Sequence, residues 1–335
     1  MSLMDTMRKR AIANPQRVAF PEANDPVMMK AIGALTQAGI ARCYAIGNPN
    51  ELAQVAADTN VCLDEVTMVD LSDETVTDIL SKRYLAHPTC MFKEKGVRRR
   101  LSRPLERALI MQALDDVDIT FAGITYSTGD VILGGQTIIG LADNIDTISS
   151  MGIFDIPGWE GSEGNLLGFG DSAVCQNPNS EQLASIAISC CDTLHALTGW
   201  EPRCALLSYS TDGSGEGELV EKVINARDIA HKRRPDLAID GEFQLDSAIS
   251  PRTAERKVKR ESTVAGKANL IVWPDLNVGN VGVKLVQQFA HANAYGPMLQ
   301  GFKKIVCDCS RSADVDEIVG NVIMSCVRAQ ALKEA

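Results

Sequence analysis

No stretch of this 335-residue chain approaches the roughly 20 consecutive apolar residues that a membrane helix requires. Its first ten residues, Met1 to Arg10, hold no apolar signal core either, so neither membrane insertion nor secretion is expected. Histidine is sparse: His87, His195, His231 and His291 are scattered without ligand spacing and read as structural or surface residues. The ten cysteines contain no CxxC pair, and most lie inside apolar segments. Cys307 and Cys309 alternate along a strand-like run, and Cys190 and Cys191 fall in a helical pattern. That usage fits buried, reduced thiols in a cytoplasmic protein better than a zinc site or a disulfide framework, and no metal is expected. Positive charge is in deficit, with 33 Lys and Arg against 43 Asp and Glu and a net charge of −10, which argues against nucleic acid or an anionic membrane as a partner. There is no P-loop, and Gly213-Ser-Gly215-Glu-Gly217 does not have the GxGxxG spacing of a dinucleotide loop.

What is present is ordinary in bulk: 45% hydrophobic and 23% charged residues, as in soluble globular proteins. A chain of this length is expected to divide into two domains. Basic residues are few but grouped. Lys93, Lys95, Arg98, Arg99, Arg100, Arg103 and Arg107 form one island, and Arg252, Arg256, Lys257, Lys259 and Arg260 another. Each island reads either as a solvated helix face or as a receptor for a polyanionic small molecule.

Short apolar runs alternate with amphipathic segments almost throughout. Strands are expected at 17–21, 43–46, 66–69 and 118–122, with helices at 26–39, from 51, at 74–86, 104–114 and 131–142. A second series places strands at 148–153, 166–174, 204–208, 237–239 and 270–273, with helices at 181–197, 218–232 and 281–292. Such alternation predicts an α/β protein whose mostly parallel sheets carry helices on both faces. Ligands in such sheets bind at the carboxyl ends of strands. Polar Gly-, Ser- and Asn-containing loops occur there, at 208–214, 240–246 and 275–280.

The densest chemistry lies near the C-terminus, in Val306-Cys-Asp-Cys-Ser310-Arg311-Ser-Ala-Asp314-Val-Asp-Glu317. Ile318, Val319, Val322, Ile323, Cys326 and Val327 recur at offsets of four and five, predicting a helix that begins just after this run. Ser310 and Arg311 then sit in a strand-to-helix turn, with Glu317 in the first helical turn. Backbone N–H groups and a guanidinium there favour an anion, and a carboxylate beside them can take a proton. The same residues also admit a capping box, Asp314 with Glu317 three positions on. On local pattern alone capping is the stronger of the two readings.

Leu207-Ser-Tyr-Ser-Thr-Asp-Gly-Ser214, Ile239-Asp-Gly-Glu-Phe-Gln-Leu-Asp246, Ala265-Gly-Lys-Ala-Asn269, Pro274-Asp-Leu-Asn-Val-Gly-Asn280, Tyr295-Gly-Pro297 and Ser310-Arg311 together resemble the successive signatures of phosphotransacetylases, in the short form that includes the ethanolamine-utilisation type. The resemblance runs from Arg17 to about Ala329. It implies an isopropylmalate-dehydrogenase-like architecture of two α/β domains with the active-site cleft between them. The domains would comprise 1–146 plus 294–335, and 147–293. It implies transfer of a short acyl group, most often acetyl, between phosphate and coenzyme A. The co-substrate is coenzyme A, the other substrate an acyl phosphate, no further cofactor is needed, and the expected assembly is a homodimer. By position Ser310, Arg311 and Glu317 match the family's catalytic residues. Ser127, Thr128, Ser208, Ser210, Thr211, Asn277, Asn280 and Tyr295 fall where substrate contacts are expected. Departures from the family are equally specific. Phe92, Leu133 and Gln288 stand where the family carries arginines, and Ser312 replaces a glycine. Arginines that fork onto phosphate are not equivalent to Leu or Phe. Three readings follow: an acyltransferase whose phosphate contacts have moved, with Arg98–Arg107 as the candidate replacement; a divergent, weak or inactive relative with a ligand-binding or assembly role; or another reaction on the same scaffold.

Overall fold

Parallel pairing of the short apolar runs dominates the computed structural model, which describes residues 2–334. The chain forms two compact units, residues 1–140 with 302–335, and residues 141–301. In the first unit, in chain order, lie α1 (Leu3–Ala13), β1 (Gln16–Phe20), α2 (Pro26–Gln37), β2 (Ala41–Gly47), α3 (Pro49–Thr59), β3 (Thr67–Asp70), α4 (Glu74–Leu85), α5 (Glu94–Leu101), α6 (Pro104–Ala113), β4 (Ile119–Ala122) and α7 (Thr128–Ile138). The second unit holds β5 (Ser149–Asp155), β6 (Leu166–Gly170), α8 (Ser180–Thr198), β7 (Arg203–Leu207), α9 (Glu218–Arg233), β8 (Ala238–Phe243), α10 (Leu245–Ile249), α11 (Pro251–Lys257), β9 (Leu270–Val272), α12 (Leu276–Ala290) and β10 (Asn293–Gln300). The chain returns to the first unit with β11 (Ile305–Asp308) and α13 (Val315–Glu334).

The first sheet is five-stranded, in the order β11-β4-β1-β2-β3, and parallel throughout. Every residue of β4 is buried, as a central parallel strand covered on both faces requires. Gln112 fixes the last strand in place: its Nε2 donates to the Asp118 carbonyl at 2.9 Å and the Ile305 carbonyl at 2.7 Å, and its Oε1 accepts from Thr120 Oγ1 at 2.9 Å. A buried amide with all these partners ties β11 to β4, and so sets where the residues after β11 emerge. α13 is buried along most of its length and packs on α1, α2 and the sheet. The second sheet is six-stranded, β10-β5-β6-β9-β7-β8; β6, β9, β7 and β8 run parallel, while β5 pairs antiparallel with both β6 and β10.

Helix starts follow local chemistry. Asp25 accepts from the Val27 and Met28 N–H groups ahead of Pro26, and Asn48 does the same for α3 ahead of Pro49. Reciprocal capping boxes begin α1 (Ser2, Asp5), α7 (Ser127, Asp130) and α8 (Asn179, Gln182).

Several expectations are corrected. The second unit returns after Gly301 and not near Asn293, because β10 pairs with β5 from Asn293 to Gln300. That strand escapes a pattern search because Gly296-Pro297 interrupts it and its register shifts between Tyr295 and Met298. The outgoing boundary falls at Gly140 instead of Asp146. α12 begins at Leu276 and not at Val281, since the Asp275 carboxylate accepts from the Val278 N–H; Asn277 and Asn280 are therefore helical residues and not loop residues. β6 stops at Gly170, where the Asp171 carboxylate gathers the N–H groups of Ala173, Val174 and Cys175 into a turn. The two basic islands contain α5 and α11.

Candidate active site

Two loops of the first unit, at the carboxyl ends of the neighbouring strands β4 and β11, carry the densest polar chemistry. The β4–α7 loop is shaped by Glu22, which is 2% exposed and follows β1. Its Oε2 accepts from the N–H groups of Gly123 (2.7 Å) and Ile124 (3.2 Å), and its Oε1 from those of Thr125 (2.6 Å) and Tyr126 (2.7 Å) and from the Thr125 hydroxyl (2.5 Å). A carboxylate gathering successive backbone donors makes the turn rigid, and with it the start of α7. There Ser127 caps the helix with Asp130, and Thr128 Oγ1 donates to Asp308 Oδ2 at 2.5 Å. Asp308 ends β11. Its other oxygen is buried without a hydrogen-bond partner. Burial pushes its carboxyl above the usual range, Thr128 opposes this, and the nearby Glu22 adds to it. Neither Glu22 nor Asp308 emerged from the sequence as a candidate. Asp308 was in view, two residues before Ser310, but nothing local marks it as buried.

Ser310 and Arg311 follow in an exposed turn. Ser310 Oγ accepts from the Ser312 N–H at 3.2 Å and is hydrogen-bonded to the Ser312 hydroxyl at 2.9 Å, so the serine in the place of the family glycine braces the loop. Arg311 has no hydrogen bond or ion pair with a described residue, yet lies near enough to Asp130 and Asp308 to favour their charged forms. The capping question is resolved atom by atom. Asp314 Oδ1 accepts from the Glu317 N–H at 2.9 Å, which caps α13. No reciprocal bond runs from the Asp314 N–H to the Glu317 carboxylate among the described residues, so the box is half-built and the Glu317 carboxylate is left over. Burial, and then the charge on Asp314, raises the pKa of Glu317. A free carboxylate of raised pKa is a better proton acceptor than an ordinary glutamate.

The remaining sequence candidates lie in the second unit. Ser210 and Thr211 are buried, and their hydroxyls serve the β7–α9 loop itself. Ser210 Oγ donates to Glu242 Oε1 at 2.9 Å and accepts from the Gly215 N–H; Thr211 Oγ1 accepts from the Gln244 N–H at 2.9 Å and lies 3.2 Å from Ser247 Oγ. Ser208 Oγ accepts from the Ser210 N–H. Asn280 Nδ2 donates to the Ser172 carbonyl at 3.2 Å, Asn277 is exposed, and Tyr295 is half-buried on β10. Ser127, Thr128, Ser310, Arg311 and Glu317 are all in the first unit, and of these the structure links Thr128 to the Ser310–Arg311 loop through Asp308.

Known proteins share this fold. A family model described as phosphate acetyl/butaryl transferase matches residues 2–326. The chain belongs to this family. It is 35% identical over 334 residues to the phosphate acetyltransferase of Acetivibrio thermocellus, covering 99% of this chain and 100% of that protein. Identity to the phosphate acetyltransferase of Clostridium acetobutylicum is 36% over 335 residues, with coverage of 98% and 99%. A phosphotransacetylase from Streptococcus pyogenes superposes with TM-score 0.90 at 28% identity, covering 99% of this chain and 100% of that one. The EutD phosphotransacetylase from Staphylococcus aureus gives 0.89 at 25%, with 98% coverage of each. The protein is an enzyme, a phosphate acyltransferase.

Against this family, the replaced arginines acquire a structural setting. Leu133 is 65% exposed on α7 and Gln288 is exposed on α12. Phe92 lies under a guanidinium: Arg100 stacks on its ring with its central carbon 3.5 Å from the centroid. The rest of the basic island is divided among other tasks. Arg98 pairs with Asp78 and Glu74 on α4, Arg103 pairs with Glu106 at 3.1 Å, and Arg107 is wholly buried on the carbonyls of Leu101 and Leu71 and the hydroxyl of Thr77.

Proposed function

We propose that this acyltransferase carries an acetyl group between phosphate and coenzyme A, with Glu317 as the base and Ser310 and Arg311 as the oxyanion and phosphate donors. The observation that carries the assignment is the Glu317 carboxylate, left without a hydrogen bond among the described residues because Asp314 alone caps the helix. A thiol of pKa about 8.5 is mostly protonated at neutral pH, so a base is needed. Glu317 takes the thiol proton, and the thiolate sulfur attacks the acetyl-phosphate carbonyl carbon. The tetrahedral oxyanion collapses with breakage of the C–O bond to phosphate. Acetyl-coenzyme A and inorganic phosphate leave, and Glu317 keeps the proton until it returns to solvent. Arg311 meets negative charge that grows on the leaving phosphate, and fixed donors at such a position are often the largest single contribution. Thr128 and Ser127 hold the neighbouring wall; within the second unit, Ser208, Asn277, Asn280 and Tyr295 are the candidate substrate contacts, and Ser210 and Thr211 shape their loop.

The test is a coupled assay of acetyl-phosphate formation from acetyl-coenzyme A and phosphate. Turnover that depends on Glu317 and Arg311 supports the assignment, and absence of turnover rejects it. A purely ligand-binding or assembly role is not favoured, since similarity to phosphate acetyltransferases extends over the whole chain.

The protein is expected to act in the cytoplasm as a homodimer. Val278, Val281, Leu285 and Phe289 are 43%, 56%, 50% and 81% exposed at helical spacing along α12, an uncovered apolar stripe that a second copy would bury. Sedimentation should give a dimer that Phe289→Glu dissociates; a monomeric wild type at micromolar concentration would reject it.

A further inference from the structure

We propose that Asp308 is a positioning residue for the acyl transfer: from the end of β11 its carboxylate acts through Thr128 and Arg311 to set how the first unit's two loops present them. The proposal rests on the acyltransferase reading above. It adds a residue that works only through others, since Oδ2 accepts from Thr128 and Oδ1 is buried.

Three elements meet at this side chain. In the sheet Asp308 lies opposite Ala122, and the Cys309 N–H donates to the Ala122 carbonyl at 2.9 Å, so pairing fixes the chain up to the residue before Ser310. Beyond it Ser310, Arg311 and Ser312 are exposed, and the side-chain hydrogen bonds of the turn stay within it. Asp308, two residues back, is where a side chain crosses to the other loop. Gly123 lets the two loops touch: at φ +117°, a side chain there would overlap Asp308 Oδ1 and the Cys309 backbone. The backbone donors around Oδ1 are already spent, Gly123 and Ile124 on Glu22 and Cys309 on Ala122.

Burying a carboxylate on a single hydrogen bond is costly, and the bond to Thr128 does not require charge, because asparagine could accept it equally. What the charge does reach is Arg311, which favours the ionised Asp308 and is drawn in turn toward the start of α7. Asp130, at that same helix start, lies in the field of Arg311 as well. The hydrogen bond has a separate effect. A threonine hydroxyl has one proton, and Asp308 takes it, so toward solvent Thr128 offers only lone pairs. Ser127 gives its proton to Asp130 in the same way, at 2.6 Å. Neither hydroxyl can then donate to a phosphate, and that task falls to Arg311, whose place Asp308 helps to set.

The experiment measures kcat and the Michaelis constant for phosphate in the coupled acetyl-phosphate assay, using the full chain. Asp308→Asn keeps the shape and removes the charge; kcat should fall about tenfold, toward the lower end of what a charged hydrogen bond contributes. The Michaelis constant should not rise, because a negative charge near phosphate has gone. Thr128→Val should lower kcat by less. The double variant should lose less than the product of the two single losses, since both act through one contact. Unchanged kcat in folded Asp308→Asn overturns the proposal, whether stability or phosphate affinity alone has moved; so does a fully multiplicative double variant. Hydrogen exchange gives a readout that needs no turnover: in Thr128→Val the Ser312 and Ala313 amides, across the contact, should exchange faster than in the wild type. Unaltered exchange there overturns the proposal even if Asp308→Asn does not fold. If exchange is as expected while the wild type forms no acetyl phosphate, the assigned reaction fails and Asp308 still sets the loop.

Discussion

Exchanging Glu317 for glutamine isolates the charge of a side chain whose carboxylate makes no hydrogen bond with a described residue. Glutamine has the same shape and makes the same helix, so the structural cost reduces to electrostatics at the start of α13. Losing a negative charge in the first helical turn costs about 0.3–1 kcal/mol. Removing its repulsion with Asp314, which helps to raise its pKa, returns part of that. The net change in stability should stay within about 0.5 kcal/mol, as for exposed substitutions generally. Catalysis has no such compensation. A general base contributes about 10²–10⁴ in rate, about 3–5 kcal/mol in the barrier. The contrasting variant is Asp314→Ala, which removes the bond that does cap the helix and should cost about 1 kcal/mol of stability. Urea unfolding and the coupled acetyl-phosphate assay, run on both variants, should therefore dissociate: turnover lost with stability kept at 317, stability lost at 314. Full turnover in Glu317→Gln would refute the reasoning and reduce the residue to helix decoration.

Other outcomes follow from the same geometry. The acid limb of the kcat/KM profile should lie above the ordinary glutamate range, because the base must be deprotonated and burial raises its pKa; Asp314→Asn should move that limb to lower pH, and an unmoved limb would remove Asp314 as a cause. Glu22→Ala would strand several buried N–H groups and should cost about 3 kcal/mol or more in urea unfolding; a change under about 1 kcal/mol would show that water replaces the carboxylate. Asp118 is pulled down to about 2, since hydrogen bonds from Arg17 and Lys333 overcome the opposing effect of burial. Its contribution of about 2 kcal/mol should be fully present above its unfolded pKa of about 4 and disappear as pH falls toward 2, and Asp118→Asn should abolish that part of the acid limb of stability. Leu133→Arg, at a position exposed enough to take the longer side chain, should lower the Michaelis constant for acetyl phosphate; no change would mean that phosphate is held elsewhere.

The alternation of apolar runs was legible because a buried parallel strand and the helix covering it each impose their own period on the residues. The Ser310–Arg311 turn was legible too, since the stripe beginning at Ile318 announces a helix and so a strand-to-helix corner before it. Helix caps such as Asp25-Pro26 and Asn48-Pro49 are local and can be read directly. β10 was hidden because pairing, and not pattern, makes it a strand. Asn277 and Asn280 looked like loop residues because glycines dilute the first turns of α12.

Sequence alone determined the α/β class, the net acidic charge, and the chemistry available near residue 310, because periodicity, charge and residue type are properties of the chain itself. Tertiary structure decided which polar groups are spent and which are free. Ser210 and Thr211 are committed to their own loop, Arg98, Arg103 and Arg107 to carboxylates, carbonyls and a threonine hydroxyl, while Glu317, Arg311 and Arg100 remain without carboxylate or guanidinium partners among the described residues. That division depends on contacts between residues far apart in the chain, such as Glu22 with Gly123 and Thr128 with Asp308. Such contacts leave no local trace in sequence, because a hydrogen bond is specified by distance and angle in space and not by separation along the chain.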